Sequence, residues 1–162
     1  ILGDKSAHNV FDSSKIHGEI MDLMVANTQV LKDNPDFGQS LVGICYEPTR
    51  LFTSDTPDGK AARAALGKAS GTDLAGFDAQ LAATHLFGKA SDAQAFVRSP
   101  AVGTTMDRVR KFLFEKELLG AGAKSADAVG IELADGKVLG DKANVKFRFT
   151  DAYMAMAADG KL

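Results

Sequence analysis

The chain has 162 residues, 45% of them hydrophobic and 25% charged, with a formal net charge of -2. That is the profile of one ordinary globular domain with a core, and it argues against nucleic acid as the main partner, because no cluster of Lys and Arg is interleaved with aromatics. No apolar run approaches the roughly 20 residues that span a bilayer. The single cysteine forbids an internal disulfide and leaves the redox compartment open.

The chain starts at Ile1 rather than Met, which suggests a processed protein or a piece of a longer one. Residues 1–15 read as loop, with room for one short strand. Asp12, Ser13 and Ser14 bring a carboxylate and two hydroxyls together. Such a cluster either caps a turn or cradles a small polar ligand, and the turn is the commoner use.

Ile20 to Ala26 is a nearly unbroken apolar run interrupted by Asp22. Its length and polar flanks predict a strand buried on both faces. A carboxylate in such a strand is costly unless paired, so Asp22 is held by an internal Arg or Lys or awaits a cationic ligand. The residues alone lean slightly to internal pairing. Glu19 adds a second acid, on the opposite side of a regular strand unless the chain bends at Gly18.

Asn34 and Pro35 fit the cap and first position of a helix carrying Phe37, Leu41, Ile44, Cys45 and Phe52 on one face. Pro48 should kink or end it. On this stripe Cys45 reads as a buried structural thiol. Tyr46 and Glu47 point to other faces, toward a ligand or a neighbouring helix. Buried strand, loop and helix is the grammar of an α/β protein, whose ligands gather at the carboxyl ends of strands.

Thr56-Pro57 opens a second helix with Ala61, Ala62, Ala65 and Leu66 as its small face and Gly71 as its stop. Thr72 is placed to cap a third, with Leu74, Phe77 and Leu81 on one side. Ser91 and Gln94 have the spacing of a capping box. Ser99-Pro100 starts the longest helix, to about Leu119. Its buried stripe is Val102, Met106, Val109 and Leu113, and its wet face Arg108, Arg110, Lys111 and Lys116.

The tail reads as a hairpin turning at Asp135-Gly136, a strand alternating through Val145, Phe147 and Phe149, and a last helix from Asp151 to about Ala158. Thr150 would cap that helix and Gly160 would stop it. There is no glycine-rich phosphate loop, and His8, His17 and His85 show no ligand spacing, so no cofactor and no metal is expected.

The segment HGEIMDLMVANTQVLKDNPDF resembles the return strand and following helix of solute-binding proteins of ABC importers, in the nitrate/sulfonate/taurine group. VFDSSKIHGEI, LVGICYE, GKASGTDLAGFDAQLA, TMDRVRKFLFEKELLG, GAKSADAVGIE and DGKVLGDKANVKFRF extend the likeness, closest to urea-type members associated with urea carboxylase. It covers nearly all of this chain but only the back half of a family chain. Such proteins tend to carry Pro at the place of His17 and Trp at that of Cys45.

The resemblance implies the back half of a two-lobed, helix-rich α/β periplasmic-binding-protein (type II) fold that closes by a hinge. Residues 1–18 would be the tail of the second lobe and the hinge, and 19–162 the C-terminal part of the first, with 19–26 the crossing strand. Asp22 is carried over as a cation-recognising carboxylate, and Ser13 and Ser14 would face the same cleft. With Glu19, Tyr46 and Glu47 they form the expected ligand-binding set. The implied function is capture of a urea-, guanidine- or taurine-like solute for a membrane permease, outside the cytoplasm and without catalysis. An enzyme on the same fold, using Cys45 or Glu47, and a fragment that binds nothing are the alternatives.

Overall fold

A computed structural model describes residues 6, 8–16 and 18–162. It is a mixed α/β structure, rich in helix, with one small sheet. The chain divides into two compact units. One joins Leu51–Leu86 to the described part of Ile1–Val25; the other joins Ala26–Arg50 to Phe87–Leu162.

In the first unit a short 3-10 turn, Ser13–Lys15, precedes two helices, α3 (Pro57–Ala69) and α4 (Leu74–Ala82). Thr56 Oγ1 accepts the Gly59 N–H at 3.1 Å, and Pro57 occupies the first helical position, where its missing N–H costs nothing. α3 ends as expected: Gly71 takes φ +77°, its N–H meets the Lys68 carbonyl at 3.2 Å, and the Thr72 N–H meets the Gly67 carbonyl at 2.8 Å.

α4 is capped by Asp73, which accepts the Gly76 N–H, and not by Thr72. Leu74, Phe77 and Leu81 are half-buried, as their spacing predicts. The face of α3 differs from expectation. Gly59 and Gly67 are buried and Ala62 is half-buried, whereas Ala61, Ala65 and Leu66 are exposed. The backbone of Asp73 lies too close to Gly67 for any Cβ there, so close backbone approach sets the contact. Arg63 then locks it, donating to Asp78 on α4 at 2.7 Å and to the carbonyls of Phe52 and Ser54 at 2.9 and 2.8 Å.

The second unit holds α1 (Thr28–Asp33), α2 (Pro35–Phe52, as far as Arg50), α5 (Ala90–Val97), α6 (Pro100–Glu115), β1 (Gly130–Glu132), β2 (Val138–Leu139), β3 (Val145–Arg148) and α7 (Ala152–Ala158). The sheet order is β2-β1-β3. β1 and β2 form the expected antiparallel hairpin, with Ile131 opposite Leu139 and Gly136 at φ +84° in its turn. β1 and β3 run parallel, with Ile131 opposite Phe147 and an irregularity at Gly130/Ile131. The core is Ala93 and Val97 of α5, Val102 of α6, Leu133 after β1 and Phe149 after β3.

Several expectations are overturned. Ile20 to Ala26 forms no strand, and Ile20, Leu23, Met24 and Val25 are exposed. A strand buried on both faces needs flanking strands and covering helices; the three short strands among the described residues all lie between 130 and 148. α1 was not expected: Asn27 caps it, accepting the Gln29 N–H at 2.8 Å. α2 runs through Pro48 and, with 18 residues against 16 in α6, is the longer helix. Ser91 and Gln94 form no capping box. The Ser91 hydroxyl turns to Asp92, the Gln94 amide goes to Asp151, and Lys89 stands at the cap without a side-chain bond.

Candidate functional site

The expected ligand-binding residues fall into both units, so each group is described in its own. In the first, Asp12 is the cap of the 3-10 turn. Its Oδ1 accepts both the N–H (2.9 Å) and the hydroxyl of Ser14, and its Oδ2 accepts Asn9 Nδ2 at 2.6 Å. The Ser14 side chain, then that of Asn9, holds the Asp12 carboxyl below its ordinary pKa. Ser13 is exposed and Ser14 half-buried. The cluster satisfies itself as a turn, the commoner of its two readings.

Glu19 is half-buried, and its N–H meets the Ile16 carbonyl at 3.2 Å. Asp22 is exposed, with no hydrogen-bond or ion-pair partner among the described residues. The expected burial of this acid is therefore corrected, while the leaning toward an internal Arg or Lys partner also fails. His17 lies outside the described residues.

In the second unit Cys45, Tyr46 and Glu47 are consecutive on α2 and so point about 100° apart around it. Cys45 is an exposed free thiol, not a buried one. The stripe it belongs to faces outward, with Phe37 and Ile44 exposed. α2 is covered at Gly38 instead, where the Tyr153 ring of α7 lies so close that no Cβ fits without the ring moving. Tyr46 is half-buried, and burial, followed by the charge of Cys45, pushes its hydroxyl above the ordinary value. Glu47 is exposed.

The concave feature of this unit is a groove of about 510 Å³ between the α5–α6 junction and the β1–β2 hairpin. Val97, Val102 and Leu133, all core residues, form its floor. Arg98, Asp107, Asp135 and Lys137 stand among its polar lining residues. Sequence reasoning missed it; the Ser99-Pro100 helix start was the signal that lay beside it.

Its acids are already engaged. Asp107 accepts Lys111 Nζ at 2.6 Å and Arg110 Nε at 2.7 Å, and these bonds hold its carboxyl below the ordinary pKa. Arg110 also donates to Asp127, beside the second 3-10 turn (Ala126–Ala128), so this side chain of the expected wet face is mostly covered, 13% exposed. Burial alone would lower the Arg110 pKa, but the two acids raise it overall. Arg98 Nε donates to the buried Asp151 at 2.6 Å.

Among the described residues no group of three or more His, Cys, Asp or Glu is placed to hold a metal, and no helix is long and apolar enough to cross a membrane. Compared with models of known protein families, with characterised proteins and with solved structures, the chain has no match in any of the three.

Proposed function

We propose that the chain is part of a solute-binding protein of an ABC importer, exported to the periplasm, which captures a small nitrogenous solute and passes it to a membrane permease without catalysis. The fold in this reading is the back half of a two-lobed binding protein, and the ligand is urea-, guanidine- or taurine-like. Asp22 carries the reading. It is an exposed carboxylate with no internal cation, set among Ile20, Leu23 and Met24, which are themselves uncovered. A carboxylate beside apolar surface suits a planar N–H donor such as guanidinium, which it can meet with two parallel hydrogen bonds. The likeness of the sequence to urea-type binders is the second support.

Thermal shift and calorimetric titration against guanidine, urea, taurine and nitrate test this. Guanidine is expected to stabilise the chain, and Asp22→Ala to remove that stabilisation while leaving the unliganded melting temperature unchanged. Because Asp22 is exposed and unpaired, its loss costs the fold nothing. Guanidine affinity that is equal in parent and variant would sink the role of Asp22. No response to any of the four solutes would favour a module that binds nothing.

A further inference from the structure

We propose that the groove between the start of α6 and the β1–β2 hairpin binds a small carboxylate with an apolar body. The inference stands apart from the importer reading, because the groove lies wholly within the second unit and contains none of Ser13, Ser14, Glu19, Asp22, Tyr46 or Glu47.

Volume and floor come first. About 510 Å³ falls within the roughly 300–1,000 Å³ of small-molecule sites, and the floor is core side chain. Gly103 keeps that floor open: a Cβ there would already meet Leu133 Cδ1 at 3.0 Å. An alkyl or aryl body fits against Val102 and Leu133.

The balance of polar groups then selects the head group. The acid Asp107 is taken by Lys111 and Arg110, and Asp135 Oδ1 accepts the Lys137 N–H at 3.0 Å. The donors are left over. The Lys137 ammonium has no carboxylate partner among the described residues. The Ser99 hydroxyl is shut away from solvent and has no hydrogen-bond partner, which is rare for a buried polar atom in a folded protein. Ser99 stands at the cap of α6 yet makes no capping bond, and Pro100 brings no N–H. The positive end of a 16-residue helix therefore opens on the groove without a side-chain acceptor. Donors in excess over acceptors above an apolar floor call for an anionic oxygen pair on an apolar body.

Calorimetric titration and thermal shift of the full chain with hexanoate, hexylamine and hexanol test the proposal. Hexanoate is expected to bind and raise the melting temperature, hexylamine to do neither, and hexanol to bind at least about tenfold more weakly than hexanoate, the worth of one charge-assisted hydrogen bond. Lys137→Gln and Ser99→Ala should each weaken hexanoate by a similar factor. Gly103→Leu should abolish binding by filling the floor; if that variant does not fold, the two polar variants decide. Asp22→Ala should leave hexanoate affinity unchanged, which separates this site from the importer reading. No hexanoate binding, equal binding of hexanoate and hexylamine, or parental affinity in both Lys137→Gln and Ser99→Ala would overturn it.

Discussion

Asp151 sits buried just ahead of α7 and accepts Gln94 Nε2 at 2.8 Å and Arg98 Nε at 2.6 Å, so one acid ties α7 to α5 and the residue that follows it. Burial pushes its carboxyl up; the two hydrogen bonds and the charge of Arg98 pull it down, and the net effect is below the ordinary value. In acid the unfolded chain therefore binds this proton more readily than the folded one. The stabilisation is fully present above the unfolded value of about 3.9, and is lost as pH falls through the lower folded value. Asp151→Asn is expected to cost about 2 kcal/mol at neutral pH, the scale of hydrogen bonds to a charged group. It should also flatten the fall in melting temperature below about pH 4. Asp107 and Asp12 are lowered as well, so some of the acid limb will remain. An acid limb identical in variant and parent, measured by thermal melts from neutral pH downward, would show that the tie contributes nothing.

The two helix starts at Asp73 and Ser91 make opposite predictions from similar sequence. Asp73→Ala removes the bond to the Gly76 N–H and should destabilise by about 1 kcal/mol. Ser91→Ala removes no capping bond and should be silent in the same denaturant titration. Equal losses at both would mean that the caps are misassigned. Much of the element order was legible for a local reason: Thr56-Pro57, Ser99-Pro100, Gly71, Asp135-Gly136 and Gly160 act on their immediate neighbours, and each does what its chemistry requires. The misreadings depend on what lies across space. The strand read into Ile20–Ala26 needs neighbours that the described residues do not supply. Pro48 removes one donor from α2, yet its turn is exposed, where water can serve the freed carbonyl, and Thr49 Oγ1 bonds the Cys45 carbonyl at 2.7 Å. Gln94 was assigned to a cap three residues away, but its partner is 57 residues along the chain. The groove was illegible for the same reason, since its walls come from residues 97–107 and 133–139.

At the scale of the whole molecule, surface decides. The chain exposes 11281 Å². A folded monomer of 17.1 kDa is expected to expose about 7,800 Å², and two separately folded units of the present sizes about 9,300 Å². The excess, about 2,000 Å² even on the second count, exceeds the roughly 800 Å² that each partner buries in a standard protein interface. Much of it is apolar: Val10 is 95% exposed, Ile20 70%, Val25 68% and Ile44 66%. Only five hydrophobic side chains are buried to form the core. Surface of this kind is what a covering polypeptide would remove, which accords with the likeness to half of a two-lobed protein. Without cover, the chain should behave as an under-packed fold. It is expected to bind an apolar dye such as ANS strongly, and to melt with a calorimetric enthalpy well below the roughly 0.7 kcal/mol per residue of ordinary domains. Ile20→Lys and Ile44→Lys, both on this open surface, should lower dye binding and change stability by less than about 0.5 kcal/mol. A sharp two-state melt with full enthalpy and no dye uptake would show that the chain needs no cover. It would also remove the main physical support for reading it as half of a larger fold.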